Sequence, residues 1–108
     1  MLNLLRFKGI ADYPNHPNEA TCSGAEAYQR YSERAVPLIE KFDARVVFSG
    51  PALASVIGPT DEHWDKVLLV EYPSIKTFID MASSAEYAQF AYHRTAAVED
   101  SRLIPIQQ

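Results

Sequence analysis

The run Trp64-Asp65-Lys66-Val67-Leu68-Leu69-Val70-Glu71-Tyr72-Pro73-Ser74 decides the fold. Read as a strand, it is apolar on both sides, with Val67 and Leu69 on one face and Leu68, Val70 and Tyr72 on the other. Such a strand belongs in the middle of a sheet whose two faces are both covered. Pro73-Ser74 stops it and opens a helix with Ile75, Phe78, Ile79 and Ala82 on the inner face.

Working outward, residues 2 to 10 alternate with a period of two and read as a first strand. Ala11 to Cys22 holds Pro14, Asn15, Pro17 and Asn18, the residues of a long loop. Ser23-Gly24-Ala25-Glu26 has capping-box spacing and opens a helix with the stripe Tyr28, Tyr31, Ala35, Leu38, Ile39 and Phe42. Pro37 is expected to kink that helix or split off its last turn. Residues 44–50 and 52–58 read as a strand interrupted by a bulge or bend at Gly50-Pro51. The third strand spans Asp65 to Tyr72, after a polar turn over 59–63. A second capping box, Ser83-Ser84-Ala85-Glu86, restarts the second helix through Val98, and Asp100 to Ile106 is the last strand.

The order β-α-β-β-α-β predicts an α+β, ferredoxin-like sandwich forming one domain over residues 1–108. Its first and third strands lie together in mid-sheet, and both helices cover one face. The other face of strand three stays apolar and uncovered in a single copy, which predicts a homodimer with the two sheets packed face to face about a twofold axis.

With 47% hydrophobic and 22% charged residues the chain is a folded globular protein. Its net charge of −4 offers no basic field for nucleic acid. No apolar run approaches the roughly 20 residues that span a bilayer. Arg6 and Lys8 interrupt the only stretch that resembles a signal sequence, so no membrane partner and a cytoplasmic location are expected. Cys22, the single cysteine, fits a reducing compartment and a packing role.

Taken together, Met1 to Phe7, Ser23-Gly24-Ala25-Glu26-Ala27-Tyr28, Trp64-Asp65, Glu71-Tyr72-Pro73-Ser74, Glu86-Tyr87, His93-Arg94 and Asp100-Ser101-Arg102-Leu103-Ile104 resemble the domain of unknown function 1330 family. The resemblance covers nearly the whole chain and implies the dimeric α/β-barrel superfamily. Ala85 departs from the proline that similar members often carry between the serine and the glutamate. That superfamily holds cofactor-free monooxygenases, haem-degrading enzymes, isomerases and binding proteins, and fold kinship does not choose among them.

Arg94 falls near the centre of the helix face formed by Tyr87, Phe90, Ala91 and Val98. A guanidinium buried there demands an acid or a bound anion. Glu71, on the Val67 and Leu69 face, is the leading internal partner, with Asp100 second. His93, at the edge of the same face, is the natural proton carrier. Arg6 and Lys8 are expected beside Asp65 and Glu71, as cross-strand pairs or as part of a polar interior. Trp64 either stacks on a ligand or lids the core. His16, His63 and His93 lack the spacing of a zinc site, and no GxGxxG, GxxxxGK or GxSxG motif is present, so no metal or cofactor is expected.

These residues predict a pocket between sheet and helices in which His93, Arg94 and Glu71 carry chemistry and Arg6, Trp64 and Tyr72 contact ligand. The expected activity is cofactor-independent chemistry on, or binding of, a small organic acid or carbonyl compound. The competing reading is a non-catalytic homodimer with an interior ion network. An open cavity of a few hundred Å³ with convergent polar groups favours the first. A filled interior with Arg94 paired to Glu71 favours the second.

Overall fold

The computed structural model describes residues 1–107 and contains eight elements. They are β1 (Leu2–Phe7), α1 (Gly24–Lys41), β2 (Arg45–Pro51), β3 (Lys66–Glu71), α2 (Ile75–Ala82), α3 (Ala85–Ala88), α4 (Ala91–Ala97) and β4 (Val98–Ile104). The antiparallel sheet runs β2-β3-β1-β4, with β1 and β3 at its centre as their apolar patterns predict. This is the ferredoxin-like topology. Among the described residues no helix is long and apolar enough to cross a membrane.

Register assigns the faces. Leu2 pairs with Leu69 and Ile104, Leu4 with Val67, and Phe48 with Leu69, so these side chains share one face. Asn3, Leu5, Leu68 and Val70 point the other way, toward the helices, and Leu5 is fully buried there. Among the described residues no layer covers the outer face: Phe48 is 55% exposed, Val47 46% and Ile104 41%.

The Ser23–Glu26 capping box is present in both directions, at 3.1 and 3.2 Å. Gly24 sits where three backbones meet. Its N–H donates to the Lys8 carbonyl at 3.0 Å, and the Lys8 N–H donates to the Ala97 carbonyl at 2.8 Å. The ends of β1 and α4 are thereby tied to the start of α1.

Several local expectations need correction. Pro37 does not split off the last turn of α1, which is continuous over 18 residues. Pro37 and Glu33, whose carbonyl loses its donor, both face water, while buried Leu38 and Ile39 hold the last turn on the core. The strand does not break at Gly50-Pro51 either. The register shift falls between Val46 and Phe48, and the ladder continues to Pro51 opposite Lys66. An edge strand tolerates proline because its outward N–H has no partner to lose. Residues 52–58 form no strand. The restarted helix is two pieces, interrupted at buried Phe90, and its cap is Ser84, which accepts from the Tyr87 N–H, rather than Ser83. Finally β1 stops at Phe7, and β4 begins at Val98, directly on the end of α4.

Two apolar clusters form the interior. One joins Ala35, Leu38, Ile39, Ala44, Val70, Met81 and Phe90; the other joins Leu5, Cys22, Ala27, Tyr28 and Ala97. Tyr31 packs against both.

Candidate functional site

Between sheet and helices opens a cleft of about 520 Å³, within the size range of small-molecule sites. Its floor is the inward row of the sheet, including Asn3, Lys66, Leu68 and Val70. Period two places Lys66 on the same face as Leu68 and Val70. Its roof comes from α1 through Tyr28, Tyr31 and Ala35, and from the second helical segment through Phe78, Met81, Tyr87 and Arg94. The helical stripe of α1, with residues three and four apart on one side, delivers the α1 side chains.

The polar character of this lining is one-sided. Arg94 and Lys66 have no carboxylate within 4.0 Å among the described residues. The Lys66 ammonium lies 5.4 Å from the Tyr28 ring centre. Burial pushes the Tyr28 hydroxyl up to about 12, against the opposing pull of Arg94. Burial likewise raises Tyr72 to about 12 and raises Tyr31, which shares a 3.0 Å hydrogen bond with Tyr87. Tyr28, Tyr31 and Tyr72 therefore remain neutral hydroxyls at ordinary pH. Among the described residues no histidine, aspartate or glutamate lines the cleft.

Of the residues singled out from sequence, Arg94 and Tyr72 reach this cleft and the others do not. Glu71 lies on the outer face and pairs with Arg45 across the strands at 3.1 Å, so it is not the partner of Arg94. Asp100 is bound by Arg102 at 2.7 Å and by the Ser101 N–H at 2.8 Å. Arg6 faces β4 rather than β3, at 3.5 Å from Glu99 and 4.0 Å from Asp100, and Lys8 lies 4.0 Å from Asp12. Asp65 accepts from the Phe7 N–H and pairs with His63. Trp64 lies under the Arg102 guanidinium at 5.2 Å and donates its indole N–H to Glu62. Sequence reasoning missed Lys66, and it read Tyr28 and Tyr31 only as core. Lys66 was visible as the cation that begins the inward row Leu68, Val70, Tyr72.

His93 is only 7% exposed and belongs to a different constellation. It shares a 2.7 Å hydrogen bond with the Tyr13 hydroxyl, through Nδ1. Arg30 reaches Tyr13 and Glu19, Tyr92 donates to Glu19 at 2.7 Å, and His16 stacks on Tyr92 with ring centres 3.9 Å apart. The long loop before α1 is thus fastened to α1 and α4 by aromatic and charged contacts. Burial holds the imidazole below its ordinary pKa, with Glu19 opposing it and Arg30, Arg34 and His16 adding smaller contributions to the depression. As pH falls, the unfolded chain takes up this proton before the folded one. The stability due to neutral His93 is complete above the unfolded value of about 6.5 and is lost as pH drops below it. The melting temperature should therefore fall from pH 7 to pH 5, and His93→Gln should flatten that portion of the curve. A wild-type melting temperature constant over this range would contradict the assignment.

An antiparallel sheet covered on one side by helices, with a cation-bearing cleft between the layers, defines a ferredoxin-like α+β protein with a candidate small-molecule site. The chain belongs to the DUF1330 family, whose model, described as a domain of unknown function, matches residues 18–106. The crystal structure of the RPA0582 protein of unknown function from Rhodopseudomonas palustris is similar over 99% of this chain and 81% of that one, with 42% identity and a TM-score of 0.86. The structure of methylated RPA0582 is similar over 98% and 78%, with 42% identity and a TM-score of 0.85. No curated protein matches the chain significantly. The family and these neighbours carry no assigned activity.

Proposed function

We propose that the cleft binds a small organic acid, its carboxylate on Arg94 and Lys66 and its body against Leu68, Val70, Phe78 and Met81. The observation that carries this reading is two cations without counter-charges, collected in one cleft of a chain whose net charge is −4. Lone cations in a partly dry site are stabilised by an incoming anion. Chemistry in such a site would be cofactor-independent and electrostatic. Arg94, Lys66 and the neutral tyrosine hydroxyls would stabilise a developing enolate or alkoxide, without a proton acceptor from the lining. His93 and Glu71 stand outside this role, His93 fastening the loop and Glu71 pairing with Arg45.

The same reading includes a twofold dimer formed through the outer sheet face. The single copy is only 17 Å thick along its shortest axis, and Leu2, Leu4, Phe48, Leu69 and Ile104 lie on its bare side. Phe48→Glu should convert a dimer to a monomer by light scattering at micromolar protein, with a circular dichroism spectrum unchanged. A wild-type monomer would remove the dimer from the proposal.

Native mass spectrometry of gently purified protein tests both parts. A dimer retaining a discrete acidic molecule is the expected spectrum. Thermal melts supply the complementary arm: millimolar organic carboxylates should raise the melting temperature by mass action. The binding reading is lost if no organic acid is retained and no carboxylate shifts the melt.

A further inference from the structure

The charge map of the cleft narrows the ligand further, and this step rests on the binding reading above. The lining includes Arg94, Lys66, Tyr28, Tyr31, Tyr72 and Tyr87 and, among the described residues, no aspartate, glutamate or histidine. The acidic groups singled out above lie outside it and are paired: Glu71 to Arg45, Asp100 to Arg102, Glu19 to Arg30 and Tyr92, Asp65 to His63 and the Phe7 N–H. An ammonium group entering the cleft would meet like charge and find no counter-ion. Burying a charge without a partner is strongly unfavourable, so amines and zwitterions are rejected on the same grounds that carboxylates are accepted.

The apolar part of the lining is rich in rings. Tyr28 and Tyr31 lie with centres 5.2 Å apart, Tyr31 and Tyr87 meet edge to face at 6.1 Å, and Tyr72 and Phe78 do so at 5.3 Å. These five rings present faces and edges to whatever occupies the space, and a planar aromatic group gains from such contacts beyond its buried area.

We infer that the ligand class is an aromatic carboxylic acid carrying no ammonium group. A 2-oxo or 2-hydroxy substituent fits the same site, because it offers an acceptor to the tyrosine hydroxyls.

The test is calorimetric titration of the intact protein with three probes: 3-phenylpropionate, phenylalanine and hexanoate. The first two share a carbon skeleton and a carboxylate and differ by the ammonium group. The third keeps the acid and loses the ring. The expected order is 3-phenylpropionate tightest, hexanoate about two- to tenfold weaker, and phenylalanine at least about tenfold weaker. Arg94→Met should weaken 3-phenylpropionate without lowering the melting temperature of the free protein, which locates the binding. Phenylalanine binding as tightly as 3-phenylpropionate, or hexanoate binding as tightly or more so, overturns the inference and leaves the anion site standing. Failure of all three, with no heat and no thermal shift, overturns the anion site as well.

Discussion

Gly24→Ala should be among the most damaging single substitutions in this chain, although it exchanges glycine for the best helix former at the first position of α1. In an unobstructed helix the change would stabilise by up to about 1 kcal/mol. Here a Cβ would lie 2.2 Å from the Lys8 carbonyl oxygen, 2.6 Å from that of Ala97 and 2.7 Å from the Lys8 nitrogen. All three obstacles are backbone, so no rotamer change relieves them. They are also the atoms through which β1, α1 and α4 are joined. Relief requires opening the Gly24–Lys8 or Lys8–Ala97 hydrogen bond, and overpacking of this kind costs about 1–3 kcal/mol or more. A melting temperature lower by roughly 5–20 °C follows for a domain of this size. Gly9→Ala is the matched control, because nothing lies within 4 Å of its added methyl group. It should be neutral or slightly stabilising through the unfolded chain. Equal melting temperatures for the two variants would refute the junction.

Arg94→Met separates the two readings of the cleft by the sign of its effect on the free protein. Were Arg94 half of an interior ion pair, its removal would strand a buried carboxylate and cost about 3–5 kcal/mol. Since no carboxylate stands within 4.0 Å of it among the described residues, a methionine of similar length should fill its volume with unchanged or higher stability. Carboxylate affinity should move the other way. Losing a charged hydrogen-bond donor is worth about 1.5–3 kcal/mol, or roughly 10- to 100-fold in Kd. Thermal melts and titrations on the same preparation supply both numbers. A marked loss of stability with unaltered carboxylate binding would assign Arg94 a purely structural role.

The topology was legible because periodicity reports which positions are removed from water. The doubly apolar strand from Val67 to Val70 belongs in mid-sheet whatever its neighbours, and Ser23 with Glu26 marks the start of α1 through local hydrogen bonding alone. The side on which each polar group falls was less accessible. Both faces of β3 are apolar, so nothing in the pattern states which one meets the helices, and Glu71 was placed beside Arg94 on that account. β1 has a neighbour on either side, and Arg6 found its carboxylates on β4 instead of β3. A continuous helical wheel over 85–98 put His93 next to Arg94 in one site. Both lie in α4, where the roughly 100° step between adjacent helical residues sends the His93 imidazole to Tyr13 and Arg94 to the cleft. The hydroxyls of Tyr28 and Tyr31 left no trace in the pattern, because hydrophobic spacing counts a tyrosine as core whether or not its oxygen faces a cavity.

The two edges of the sheet bear on how the protein behaves when concentrated. β2 carries a displaced residue at Val47 and ends in Pro51, while β4 carries Glu99, Asp100 and Arg102 in its first five residues and is followed by Pro105. A ladder cannot be copied onto a bulged or proline-bearing border, and a charged one discourages an uncharged newcomer. The hydrogen-bonding direction is therefore closed to growth even though the broad apolar surface at right angles to it is open. The face-to-face pairing proposed above would use that surface while adding strand upon strand stays barred, so crowding should yield discrete assemblies in preference to fibrils.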